Sequence, residues 1–244
     1  MTPDAALPPA PLTSLTEDER LFRDSVYEFA DREVRPLARE MDSQARFSAA
    51  LLRQLFDLGV MGIEVPDEFG GAGATFFHSV LAVEALSRVD PSVGVVVDVQ
   101  NTLVAYPLLT AASDDQKARY LPALCDSKVG AYALSEANSG SDAFALQTRA
   151  ERKGDDWVLT GRKLWITNGA EAEVFIVFAN ADPAKGYKGI TAFLIERDTP
   201  GFRIEREIPM LGGHRTYELA FEDCRIADAQ VLGEPGSGFA HTHM

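Results

Sequence analysis

The chain has 244 residues, enough for one large or two ordinary domains, and its 46% hydrophobic and 25% charged residues are the balance of a core-forming protein. A net charge of −14 excludes the basic footprint that general nucleic-acid binding needs, so any anionic ligand must be met by local donors. The two cysteines, Cys125 and Cys224, make no disulfide framework and point to a reducing, cytoplasmic setting.

Residues 1–13 are proline-rich with no basic run, which fits a disordered lead-in and not a signal peptide. Thr16-Glu17-Asp18-Glu19 is a capping-box pattern, followed by apolar residues from Leu21 to Met41 at helical spacing. Pro36 should kink or divide that helix. A second helix starts near Ser48, with Leu51, Leu52, Leu55 and Leu58 inward and Gly59 suited to its C-terminus. Residues 66–73 form a loop, and Gly70-Gly71-Ala72-Gly73 lacks the strand and lysine of a phosphate loop. Thr75 opens a helix carrying Phe76, Val80, Val83 and Leu86. Further helices are expected over 91–110 and 114–124, the latter capped by Ser113. No apolar run approaches the roughly 18 residues of a membrane span. The longest, 93–99, is broken by Gly94 and Asp98, so no membrane partner is expected.

Near Lys128 the period changes to two. Residues 129–134, 147–152, 157–165, 174–179, 189–196, 202–206 and 217–221 are predicted strands, with Lys153-Gly154-Asp155-Asp156 as a hairpin turn. The fold class is therefore α+β: an all-α domain over 14–126, then an antiparallel β-barrel or sandwich over 127–235. His241-x-His243 is half a metal site with no further spaced ligands, and no metal is expected.

Several segments occur in an order that resembles the acyl-CoA dehydrogenase family, from about Thr16 to Phe239. They are Pro66-Asp67-Glu68-Phe69-Gly70-Gly71, Ser135 through Asp142, Trp165-Ile166-Thr167-Asn168-Gly169, Gly186 through Thr191, and Val231-Leu232-Gly233-Glu234. The middle stretch is most similar to short/branched-chain members. The resemblance implies FAD as cofactor, an acyl-CoA thioester as substrate, an electron-transfer flavoprotein as acceptor and a homotetramer as the complete assembly. It implies that Tyr132, Leu134, Ser135, Gly140, Ser141, Trp165 and Thr167 bind the cofactor, with Ser135 at the flavin's pyrimidine edge and Trp165 flanking the ring. Thr167 would bond near N5, and Ser141 would also meet the substrate's pantetheine arm.

The implied reaction is α,β-dehydrogenation of the thioester, in which a carboxylate removes the α-proton. In that family the base is a glutamate of a C-terminal helical domain, which residues 236–244 would only begin and which falls beyond Met244. No catalytic residue is therefore assigned here, Glu136 and Glu171 included, and the chain alone is expected to be catalytically poor. Where the family commonly has Pro-Gly-Ala, this chain has Ala137-Asn138-Ser139, with Asn138 suited to a left-handed backbone. Two other readings stay open: a non-catalytic binding or interaction protein on the same body, and a flavin oxidase or monooxygenase on the same scaffold.

Overall fold

The computed structural model describes residues 14–211, 213–238 and 240. The lead-in, the His241/His243 pair and Phe239 lie outside them. Helix α1 (Glu17–Phe29) begins with the expected reciprocal cap: the Glu19 amide donates to Thr16 Oγ1 at 3.2 Å and the Thr16 amide to the Glu19 carboxylate at 2.7 Å. A π-helical turn, Ala30–Val34, then leads into α2 (Arg35–Gln44). Pro36 thus sits in the first turn of a restarted α-helix, where its missing N–H needs no partner.

The same device recurs. Helix α5 (Pro91–Asp98) passes through a π-helical stretch, Val99–Ala105, into α6 (Tyr106–Ala111), so Pro107 also follows directly on a restart. Between these come α3 (Ala49–Asp57), capped by Ser48, and α4 (Phe76–Ser87), opened by Thr75. In the Thr75 cap the His78 ring stands where a glutamate usually would, with Nδ1 2.9 Å from Thr75 Oγ1. Helix α7 (Asp114–Asp126) closes the helical half from its Ser113 cap.

Leu58, expected inward, is exposed, as are Phe76 and Val80, while α4 turns Leu81, Ala82, Ala85 and Leu86 inward. The stretch Pro91–Ala111 is long and apolar enough to span a membrane, at 21 residues with a mean hydropathy of 1.3. It is a core helix here, with fully buried Gln100 and Asn101 bonded to backbone groups of neighbouring segments. Asn138 does not take the left-handed conformation; Ala45, Trp165, Asn168 and Asp223 are the described non-glycine residues that do.

The second half is an eight-stranded sheet: β1 (Val129–Ala133), β2 (Arg149–Lys153), β3 (Asp156–Thr167), β4 (Ala172–Asn180), β5 (Ile190–Glu196), β6 (Phe202–Pro209), β7 (Arg215–Ala227) and β8 (Val231–Leu232). The order β6-β7-β3-β2-β4-β5-β8 leaves the sheet open, so the barrel alternative is set aside. Most pairings are antiparallel, including the β2–β3 hairpin through Gly154, but β1 runs parallel to β4. Strand β4 alternates strictly: Phe175, Val177 and Ala179 enter one core, and Val174, Ile176 and Phe178 the other. Each core contains helical and strand residues, so neither half buries its apolar surface alone.

Candidate functional site

The left-handed residues of β3 mark the place where the strand does something a ladder does not need. Pairing of β3 with β7 shifts register between Lys163 and Ile166, which is a bulge. Within it Trp165 adopts φ 63° and is 54% exposed. A tryptophan in the left-handed region is a true outlier, held only where surrounding contacts over-determine it. The Leu164 amide, released from the ladder, donates instead to the Ser135 carbonyl at 2.9 Å. That bond draws the segment after β1 against the bulge of β3.

The result is a cleft of about 190 Å³ lined by Val99 and Leu103 from the π-helical stretch, Tyr132, Leu134 and Ser135 from the end of β1, and Trp165, Ile166 and Thr167 from β3. Five of the seven residues expected to bind a cofactor therefore share one wall. Gly140 and Ser141 do not line it. They lie on an exposed loop beyond the Glu136–Ser139 bridge, in which Ser139 Oγ donates to the Asp142 carbonyl and the Phe144 amide to the Asp142 carboxylate. No Cβ clash requires glycine at 140.

The Trp-Ile-Thr-Asn-Gly run has a local explanation. Asn168 turns the chain at φ 62°, and its side-chain amide donates to the Gly130 carbonyl at 3.2 Å. At Gly169 a Cβ would lie 2.7 Å from the Tyr217 Cβ, so only glycine fits between β3 and β7. Tyr132 packs against Phe178 with ring centroids 4.8 Å apart, and burial raises its phenol pKa well above the usual range.

Two groups that sequence reasoning passed over hold this wall. Lys163 is fully buried, with Nζ 2.7 Å from Glu136 Oε1 and 3.0 Å from the Leu134 carbonyl it donates to. Burial lowers its pKa to about 8, against the opposing pull of Glu136. Burial would raise the Glu136 carboxyl, but the Lys163 charge and the hydrogen bonds it accepts from Lys163, Thr148 and Gln147 outweigh that and hold it low. The signal was present: Lys163 continues the inward phase of Trp157 and Leu159, and an inward lysine requires a buried acceptor. Val99 and Leu103 carried no signal beyond ordinary helical spacing.

A larger cavity, about 710 Å³, lies between the α2–α3 connection and the β3–β4 turn. Its charges are of both signs and partly self-satisfied, as where Arg215 Nε meets Glu207 at 2.9 Å. Burial raises the Glu171 pKa there. It lacks an exposed aromatic platform with adjoining hydroxyls, so size alone does not make it the site.

The smaller cleft does have those parts: the exposed Trp165, the hydroxyl residues Ser135, Thr167 and Tyr132, and apolar walls. At about 190 Å³ it falls below the roughly 300–1,000 Å³ of drug-sized ligand sites, so it encloses no more than part of such a ligand. Helices pack on an open sheet, with this cleft at their junction. Residues 16–128 match the acyl-CoA dehydrogenase N-terminal domain and residues 131–224 its middle domain, so the chain belongs to the acyl-CoA dehydrogenase family.

It is 47% identical over 232 residues to a probable short/branched chain specific acyl-CoA dehydrogenase of Dictyostelium discoideum, covering 94% of this chain and 56% of that one. Identity to the mitochondrial short/branched chain specific enzyme of Rattus norvegicus is 42%, covering 95% and 54%. Butyryl-CoA dehydrogenase from Megasphaera elsdenii superimposes with a TM-score of 0.90 at 33% identity, covering 94% of this chain and 62% of that one. The chain thus spans little more than half the length of the curated relatives it matches.

Proposed function

We propose that this chain supplies the helical and middle domains, residues 14–126 and 127–235, of an FAD-dependent acyl-CoA dehydrogenase that introduces an α,β double bond into an acyl-CoA thioester. The observation that carries the reading is the convergence of Tyr132, Leu134, Ser135, Trp165 and Thr167 on one cleft across a gap of some thirty residues. FAD, when bound, supplies the two-electron acceptor for the β-hydride. The Ser135 and Thr167 hydroxyls orient the ring edge, Trp165 covers it and excludes water, and the Ser141 loop meets the pyrophosphate and pantetheine portions. Electron-transfer flavoprotein would accept the electrons, and the complete protein would be a homotetramer. Both cysteines are buried and free, in keeping with a reducing compartment such as the cytoplasm.

No carboxylate is among the residues lining the cleft. Glu136 is committed to Lys163, and Glu171 opens onto the other cavity, so neither is proposed as the base. The reading is tested by titrating the purified chain with FAD and following the fluorescence of its two tryptophans, Trp157 and Trp165, together with the flavin difference spectrum. Saturable quenching, weakened in Ser135→Ala and Thr167→Ala, is expected. A wild-type chain that leaves both signals unchanged overturns it.

A further inference from the structure

The buried ion pair does not explain itself as a source of stability. Removing two charges from water costs so much that apolar residues of similar size often replace such a pair without loss. What it does here is geometric. One end, Lys163 Nζ, donates to the Leu134 carbonyl and to Glu136. The other, the Glu136 carboxylate, accepts the amides of Gln147 at 2.7 Å and Thr148 at 3.1 Å, at the entry to β2. Ser135 stands between the two acceptors Leu134 and Glu136, and Trp165 stands two residues after the donor. Three segments without sequence contact are therefore clamped at one point behind the cleft. Its neighbouring strand bond, from the Leu164 amide to the Ser135 carbonyl, is 2.9 Å long.

The bulge gives this clamp something to hold. Pairing with β7 is interrupted between Lys163 and Ile166, so the ladder leaves Leu164 and Trp165 unpaired with β7. Strand register alone cannot set where the indole lies relative to the Ser135 hydroxyl; a directional contact from the other side must do so.

From this we infer that Glu136 and Lys163 are positioning residues for the flavin cleft, fixing Ser135 and Trp165 relative to one another while touching neither ligand nor reacting atoms. The inference rests on the flavin reading of the cleft given above. Its test uses the full chain and Glu136→Met/Lys163→Met, which removes both charges together and so spares the fold an unpaired buried ion. Glu136→Gln serves as the second variant because it keeps the shape while replacing the charge and one acceptor oxygen with an amide donor, leaving Lys163 without its counter-ion.

The double variant sheds the desolvation cost of the pair but strands the Leu134 carbonyl and the Gln147 and Thr148 amides, so it should fold with a lowered melting temperature. Its Leu164 amide should exchange with solvent about tenfold faster or more, its tryptophan emission should shift, and its FAD dissociation constant should rise about tenfold, the scale of one lost charge-assisted bond. Glu136→Gln, with Lys163 left unpaired, should shift Leu164 exchange and FAD affinity in the same direction and be the less stable of the two. A folded double variant with wild-type Leu164 exchange, tryptophan emission and FAD affinity within about twofold overturns the inference and leaves the pair as a core staple. Failure of the wild-type chain to take up FAD counts against the flavin reading instead. Leu164 exchange and tryptophan emission need no ligand and decide the positioning role in that case too.

Discussion

The Gly130 amide donates to Oε1 of the fully buried Gln100 at 2.8 Å, joining the π-helical stretch to the start of β1. The same side chain donates through Nε2 to the carbonyls of Leu124 at 2.8 Å and Lys128 at 3.0 Å, at the end of α7 and in the connection that follows it. One amide thus satisfies three backbone groups where helix gives way to sheet. Replacing Gln100 with leucine strands an N–H and two carbonyls in the core, at about 1–3 kcal/mol for each group that water cannot reach. Gln100→Leu, with the buried leucine offsetting part of that cost, should lower the unfolding free energy by about 3 kcal/mol or more in urea titration. A loss below about 0.5 kcal/mol would show that water reaches these groups.

Gly130 is needed for a different reason, since a Cβ there would meet Val104 Cγ1 at 2.4 Å. Gly130→Ala should cost about 1–3 kcal/mol by overpacking. Val104→Ala in the same chain should restore part of that loss, giving a coupling of about 0.5 kcal/mol or more in a double-mutant cycle. Simple additivity would place the damage elsewhere.

Trp165 separates stability from binding. Its left-handed backbone favours glycine by about 1–2 kcal/mol, and as a half-exposed residue it buries little area. Trp165→Gly should therefore hold its urea midpoint within about 1 kcal/mol equivalent while FAD affinity falls about tenfold or more. An unfolded variant would mean that the indole supports the core. Unchanged affinity would remove it from the ring wall.

The ion pair gives stability two pH-dependent limbs of known sign. Glu136 titrates below its usual range when folded, so its contribution is complete above about 4.3, the unfolded value, and disappears as acid passes through the lower folded value. Lys163 titrates at about 8 when folded. Its unfolded value is about 10.4, so the unfolded chain holds more protons between these limits and stability rises with pH across that window. The difference in unfolding free energy between wild type and Glu136→Met/Lys163→Met should fall in acid, stay level near neutrality and climb above about pH 8. A difference that is flat from pH 3 to 10 would count against the ionised pair.

The amino-acid sequence by itself determined the parts whose causes lie within about four residues. Thr16 with Glu19, Ser48, Thr75 and Ser113 cap helices as their side-chain chemistry dictates. Period-two runs became seven of the eight strands, and Gly154 turned the first hairpin. The family motifs located Tyr132, Leu134, Ser135, Trp165 and Thr167, which the cleft then brought together. The rest depended on partners far along the chain.

Only the tertiary structure set β1 parallel to β4, because a strand's own alternation is the same in either direction. Only it decided which apolar faces were buried: among the described residues Leu58, Phe76 and Val80 stay exposed, and the helix over Pro91–Ala111 contributes to both cores. It also turned Trp165 outward and paired Lys163 with Glu136 across 27 positions. An inward lysine and a glutamate in a loop become a clamp when folding removes the water that would otherwise have kept them apart.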